Sequence, residues 1–183
     1  MHPGCRLTMR RKLLFPALLI LVQVPALGQA PTAKIRQRVQ WFISEAPGQW
    51  FGTSRDAIIA KLGRPANVSF RLNPNPQDSL TADTVFTMQY DSANFVIYAA
   101  TTFRHEFLVE AKVTGSRYLR PPPLQLGASI SRVRAYFNDS SRTNTSSLTY
   151  DCTWCEDTVQ GTRVTLWFRK GRLVGVKWEY RID

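Results

Sequence analysis

This 183-residue chain has little cysteine, little histidine and no apolar run long enough to span a membrane, and each shortage excludes something. Of its two histidines only His105 lies beyond the first 28 residues, so a Ser-His-Asp or Cys-His arrangement would have to use it. No Gly-x-Ser-x-Gly elbow supplies a nucleophile, and His105-Glu106 finds no second histidine four positions on, as the zinc-protease pattern requires. His105 reads instead as a solvent-exposed turn residue. The 13 carboxylates are scattered and nominate no acid–base pair, and no glycine-rich loop is present to cradle a phosphate. The expectation is a protein that is not an enzyme, with no metal and no cofactor. Lys and Arg outnumber Asp and Glu by 24 to 13, yet no run of five basic residues occurs, and nucleic acid is not an expected partner.

What is present begins with an address. Arg6, Arg10, Arg11 and Lys12 form a basic start, residues 13–24 a mostly apolar stretch, and Ala26-Leu27-Gly28 a small-residue cleavage site. That is the layout of a secretory signal peptide over residues 1–28, since a bilayer span needs about 20 apolar residues. Cys5 precedes the apolar stretch, whereas the cysteine of a lipoprotein follows it, so no lipid anchor is expected. Residues 29–183 are therefore expected in the periplasm or outside the cell, with 20 basic residues against 13 acidic. Such an excess favours an acidic protein face as partner and, more weakly, an anionic membrane surface. A surface that is basic merely for solubility is the plainer alternative.

One phrase is used twice. Gly52-Thr53-Ser54-Arg55-Asp56-Ala57-Ile58-Ile59-Ala60-Lys61-Leu62-Gly63 returns 75 residues later as Gly127-Ala128-Ser129-Ile130-Ser131-Arg132-Val133-Arg134-Ala135-Tyr136-Phe137-Asn138. Each copy opens on glycine and offers a hydroxyl at a helix start, Thr53 with Asp56 three positions on in the first. Each carries an apolar pair four apart (Ile58/Leu62, Val133/Phe137) and stops on Gly63 or Asn138. Strand-like sequence follows both. The chain thus divides into an N-terminal helix within 29–47, a first helix-plus-sheet repeat at 48–119, a proline-rich joint at 120–126 and a second repeat at 127–183. The fold class this implies is α+β, two tandem units of short helices packed on one face of an antiparallel sheet.

Within that frame, the stripe Ile35, Val39, Phe42 and Ile43 predicts a helix over 32–46, capped by Thr32 and broken by Ala46-Pro47-Gly48. A short edge strand is expected at 68–71 and a loop at 73–79, where two prolines and two asparagines fall. Strands follow at 84–90, 94–101 and 106–114, the last expected to bury Phe107, Val109, Ala111 and Val113 together. After the helix at 129–137 come a strand at 147–152 and a hairpin at 162–181. Its turn is expected to be the three residues Arg169-Lys170-Gly171. A two-residue turn would send one of the sets Val164/Leu166/Phe168 and Val174/Val176/Trp178 to water.

Gly52, Ser54, Ile58, Leu62, Gly63 and Pro65, with Gly127, Ser129, Val133, Phe137 and the closing hairpin over 164–180, carry a resemblance. The chain is similar to the tandem fold of secreted β-lactamase-inhibitor proteins and to the single-unit SmpA/OmlA-type outer-membrane assembly proteins. The resemblance implies a sheet with helices on one face and an open face that docks another protein. It departs from the assembly proteins in lacking their lipid-anchor cysteine, and its second unit lacks the Gly-x-Pro helix stop.

Two candidate features remain. Trp167, with Arg163, Arg169, Lys177 and Arg181, is the candidate binding patch on the hairpin, because exposed aromatics beside arginines are enriched at interfaces. The alternative is that a second layer covers Trp167. Cys152-Thr153-Trp154-Cys155 falls between strands, followed by Glu156 and Asp157, which disfavour a thiolate, so a local disulfide in an oxidising compartment is expected over redox or zinc chemistry. The functional expectation is an exported, non-catalytic protein-binding module. Its alternative is a small periplasmic carrier of an apolar or anionic ligand held between helix and sheet, in a pocket of Phe95, Ile97, Phe107 and Val109.

Overall fold

The computed structural model describes residues 33–75, 78, 80–119, 124–141, 145–152 and 162–181. The expected signal peptide, Thr32, Arg120-Pro121-Pro122-Pro123 and Cys155 lie outside the described residues. Both copies of the repeated phrase start their helices in the same way. Helix α3, Arg55–Leu62, and helix α4, Ile130–Phe137, are each capped by a serine. Ser54 Oγ accepts from the Ala57 N–H and Ser129 Oγ from the Arg132 N–H, both at 3.3 Å. The cap of α3 is thus Ser54 and not Thr53, because Ser54 is the last extended residue before the helix.

The N-terminal helix does not break at Ala46-Pro47-Gly48. Helix α1, Ala33–Gln40, runs through a π-helical turn, Trp41–Glu45, into helix α2, Ala46–Phe51. In the π turn the Ala46 N–H donates to the Trp41 carbonyl, so the next partner due to Phe42 is residue 47, a proline with no N–H to give. Trp178 takes that place, its indole Nε1–H donating to the Phe42 carbonyl at 3.0 Å. Pro47 itself is tolerated because it sits in the first turn of α2, where backbone donors are unpaired anyway.

Strands β1 (Asn67–Pro74), β2 (Ala82–Gln89), β3 (Ala93–Ala100), β4 (His105–Val113), β5 (Ser147–Cys152), β6 (Thr162–Arg169) and β7 (Arg172–Glu179) form one antiparallel sheet in the order β1-β2-β3-β4-β7-β6-β5. The fold is α+β, as expected. The strands following the two helix phrases share a continuous sheet, joined where β4 meets β7 through Ala111 opposite Trp178 and Val113 opposite Val176. Residues 31–183 make one compact unit. Among the described residues no helix is long and apolar enough to cross a membrane.

Two bulges correct the expected faces. The β3–β4 register shifts between Val96 and Ile97, so Leu108 lies opposite Ile97 while Ala111 lies opposite Phe95. The extra residue, Val109, changes the phase of β4: Leu108, Ala111 and Val113 are buried in the core, and Phe107 and Val109 go to the other face. In the last hairpin the turn is two residues, Lys170 and Gly171, both at positive φ (50° and 69°), not the expected three. The phase is restored one step later, where a shift beside Trp167/Phe168 pairs Phe168 with Leu173. Val174 becomes the surplus residue, and Val176 and Trp178 return to the core. The odd residue was needed, and it lies in the strand instead of the turn.

The helices pack on one face, filling the space over the sheet with Phe42, Phe51, Ile58, Val133 and Phe137 against Phe95, Ile97, Leu166 and Trp178. Phe95 and Ile97 are fully buried there, while Phe107 and Val109 face the other way, so these four residues do not line a common cavity. At the far corner Asp83 is buried and accepts from the Tyr98 hydroxyl and, at 2.8 Å, from the Thr101 N–H. The Tyr98 bond, helped by that from Thr101, holds the Asp83 carboxyl below its ordinary pKa. The same bond, with burial, pushes Tyr98 up to about 12. The tyrosine part of this stabilisation is complete below an unfolded pKa of ~10 and is lost as pH rises toward the folded value. The Asp83 part is complete above ~3.9 and is lost as pH falls through the lowered folded value. In urea melts taken as a pH series, the wild type is expected to lose stability more steeply than Tyr98→Phe between about pH 10 and 12. Equal slopes would show that the pair contributes nothing.

Candidate binding face

The face away from the helices is lined over β4, β7, β6 and β5 by residues that alternate with the core. Trp167 lies opposite Gly175, Thr165 opposite Lys177 and Arg163 opposite Glu179, while Lys112 and Glu110 of β4 lie opposite Lys177 and Glu179. Among the described residues no helix covers this face. Trp167 is half-buried all the same, because its ring packs closely on Gly175, which has no side chain to hold it off. A Cβ on Gly175 would come within 3.1 Å of the indole. The Lys112 ammonium lies over the ring, 5.5 Å from its centre.

The five residues of the sequence-based patch are on this face or at its ends, but they do not form one cationic surface. Arg163 pairs with Asp151 at 2.7 Å, and this hydrogen bond raises its pKa. Lys177 bridges Glu179 at 2.9 Å and Glu110 at 3.1 Å. Partial burial works against its charge, but the hydrogen bonds to the two glutamates outweigh that and leave its pKa raised. Arg169 is exposed beside the Lys170-Gly171 turn, opposite Arg172. Arg181 is six residues beyond Gly175, and at ~3.3 Å per strand residue it sits roughly 20 Å from Trp167. The structure therefore separates an aromatic end, with Trp167, Lys112 and Arg169, from an ion-paired end with Arg163, Glu110, Glu179 and Arg181.

At the ion-paired end lies a cleft of about 560 Å³, walled by Val96, Val109, Glu110, Arg163, Glu179 and Arg181. The Tyr180 hydroxyl, buried beside it, has no hydrogen-bond partner among the described residues. Of the acidic members of this face, Glu110 and Asp151 come from strands outside the hairpin that nominated the patch. Glu110 reaches Lys177 only through the β4–β7 pairing, which joins segments more than 60 residues apart and is shifted by the Val109 bulge. Cys152 is buried at the end of β5. His105 is exposed at the start of β4, its ring against Phe107. Among the described residues no cluster of His, Cys, Asp or Glu is arranged to hold a metal. Comparison of the chain with models of protein families, with curated proteins and with solved structures finds no match.

Proposed function

We propose that this chain is an exported, non-catalytic binding module that docks another protein on the open face of its sheet, centred on Trp167. What supports the reading is that the β4-β7-β6-β5 half presents a large, half-buried aromatic ring on a face that no helix among the described residues covers. Cations lie beside it at Lys112 and Arg169, and paired charges occupy the other end of the face. Aromatic anchors inside a polar rim are the usual composition of an interaction surface. The module is proposed to be secreted or periplasmic, with Cys152 joined to Cys155, so that reduction adds two hydrogens to its intact mass.

The testing variant follows from the geometry. Lys177→Glu would place three carboxylates together and disturb the sheet, so Trp167→Ala with Arg169→Glu is the better choice. It removes the anchor and reverses a charge that has no acidic partner among the described residues. The purified chain and this variant are used to capture ligands from native envelope extract, and retained proteins are identified by mass spectrometry. A protein held by the wild type and lost by the folded variant is the expected result. Retention of the same proteins by both would overturn the assignment of this face.

A second reading, a carrier of a small ligand, rests on the cleft, whose wall holds Arg163 and Arg181 beside the carboxylates of Glu110, Asp151 and Glu179, so a polar ligand fits it better than an anionic one. Native mass spectrometry separates the two, because a carrier purified from its own cells brings a small bound mass that the double variant at Trp167 and Arg169 retains.

A further inference from the structure

The sheet has two edges, and they are built differently. β5 is six residues long, and its Leu148 and Cys152 are buried. β1 is eight residues long, pairs with β2 without a bulge, and points Val68, Phe70 and Leu72 to the helix-bearing side, where they remain 48%, 69% and 65% exposed. The helix layer stops one strand short. Its last reach is Arg55, which stacks its guanidinium 3.7 Å from the centre of the Phe86 ring and binds Glu106. Phe70 leans on Phe86 from beyond that boundary, with ring centres 6.2 Å apart. Free edges are commonly blunted by charges, prolines or bulges, because an unprotected one is a template for another strand. β1 has one charge, Arg71, and one proline, Pro74, at its last position.

We propose that β1 pairs antiparallel with β1 of a second copy, about a two-fold axis through Phe70, making one sheet that continues across both molecules. The occupant follows from the residues themselves. Centred on Phe70, the pairing sets Phe70 against its own mate and Val68 against Leu72, apolar on apolar, with both helix layers on the same side. Arg71 then faces Ser69 and not its symmetry mate, and Asn67 faces Asn73. Moving the axis to Arg71 would set the two arginines directly opposite, which is destabilising. Moving it to Ser69 would set Leu72 opposite Ala66, past the end of β1 and too small to cover it. Only the Phe70 register satisfies both the apolar row and the charge, as a self-complementary two-fold contact requires. Each copy carries a net positive charge, so this association strengthens with salt, the opposite of what an acidic partner strand would show.

This inference is independent of the open-face reading, since β1 lies at the other edge of the sheet. Sedimentation of the naturally processed chain over a concentration series at low and high salt tests it. A reversible monomer–dimer equilibrium favouring dimer at high salt is expected. Phe70→Lys, an exposed change whose fold is checked by circular dichroism, is expected to weaken it about tenfold or more by setting like charges opposite. Trp167→Ala is expected to leave it unchanged. Phe70→Cys is expected to give a disulfide-linked dimer on mild oxidation faster than Asn73→Cys. A chain that is monomeric throughout, a dimer indifferent to Phe70→Lys or one that weakens with salt would each overturn the proposal, the last pointing to a charged partner strand.

Discussion

Trp178→Ala is expected to destabilise the fold by about 3–5 kcal/mol, the range for deleting a buried tryptophan, and to lower the melting temperature by roughly 10 °C or more. The side chain is fully buried and central, with ring centres 5.4 Å from Phe42, 6.0 Å from Trp50 and 6.3 Å from Phe51. Removing it opens a cavity between the N-terminal helix and the β4–β7 junction. It also strands the Phe42 carbonyl, which the π turn and Pro47 leave with no backbone donor. Trp178→Phe separates the two effects. It keeps an aromatic ring but loses the N–H, and a buried carbonyl left unpaired costs about 1–3 kcal/mol. Denaturant midpoints for the two variants check this. A Trp178→Phe protein as stable as wild type would mean that the carbonyl finds another donor and that the tryptophan matters for its volume alone.

Gly52→Ala is the second large effect. Gly52 has φ 100° and ψ 168°, a backbone region occupied almost only by glycine, and strain there costs about 1–3 kcal/mol for any other residue. In addition, a Cβ at this position would stand 2.6 Å from the Ala57 Cβ and 3.1 Å from its carbonyl carbon, so the start of α3 would have to move. Gly63 provides the control. It has φ 83° and ψ −174°, equally a glycine conformation, but a Cβ there meets nothing within 4 Å. Gly63→Ala therefore measures strain alone, and Gly52→Ala is expected to exceed it by about 1–3 kcal/mol, the usual cost of overpacking. Equal losses would show that α3 shifts freely to make room.

These two sites differ in how visible they were. Gly52 could be picked out because it opens a phrase that recurs at Gly127, and both glycines have positive φ (100° and 89°). The structure added the reason, since each glycine turns the chain into a serine cap. Trp178 was legible only as one member of an alternating strand. Its partner carbonyl is 136 residues away, on a helical turn whose departure from the usual pattern no apolar periodicity signals.

The strand faces show the same division. In β3 a run apolar on both sides predicts a central strand at 94–101, and the strand is found at Ala93–Ala100. In β4 and β7 a bulge shifts the phase, because pairing with neighbouring strands favours an extra residue at Val109 and Val174. The candidate site was affected most. Trp167 and the four basic residues could be nominated from one hairpin, but Asp151 on β5 and Glu110 on β4, with Glu179 two residues along β7 from Lys177, neutralise part of that charge.

By itself the sequence determined the place of α3 and α4 to within a residue, the number and approximate place of most strands, and the α+β class. Those follow from local chemistry: capping hydroxyls, positive-φ glycines and side-chain periodicity act over a few residues. Tertiary structure alone decided that one continuous sheet forms through β4 and β7. It also decided that the basic patch is half neutralised and that β1 extends past the helix layer with its apolar row exposed. Each of these depends on which distant segment lies alongside, a choice made by packing and backbone pairing over the whole chain.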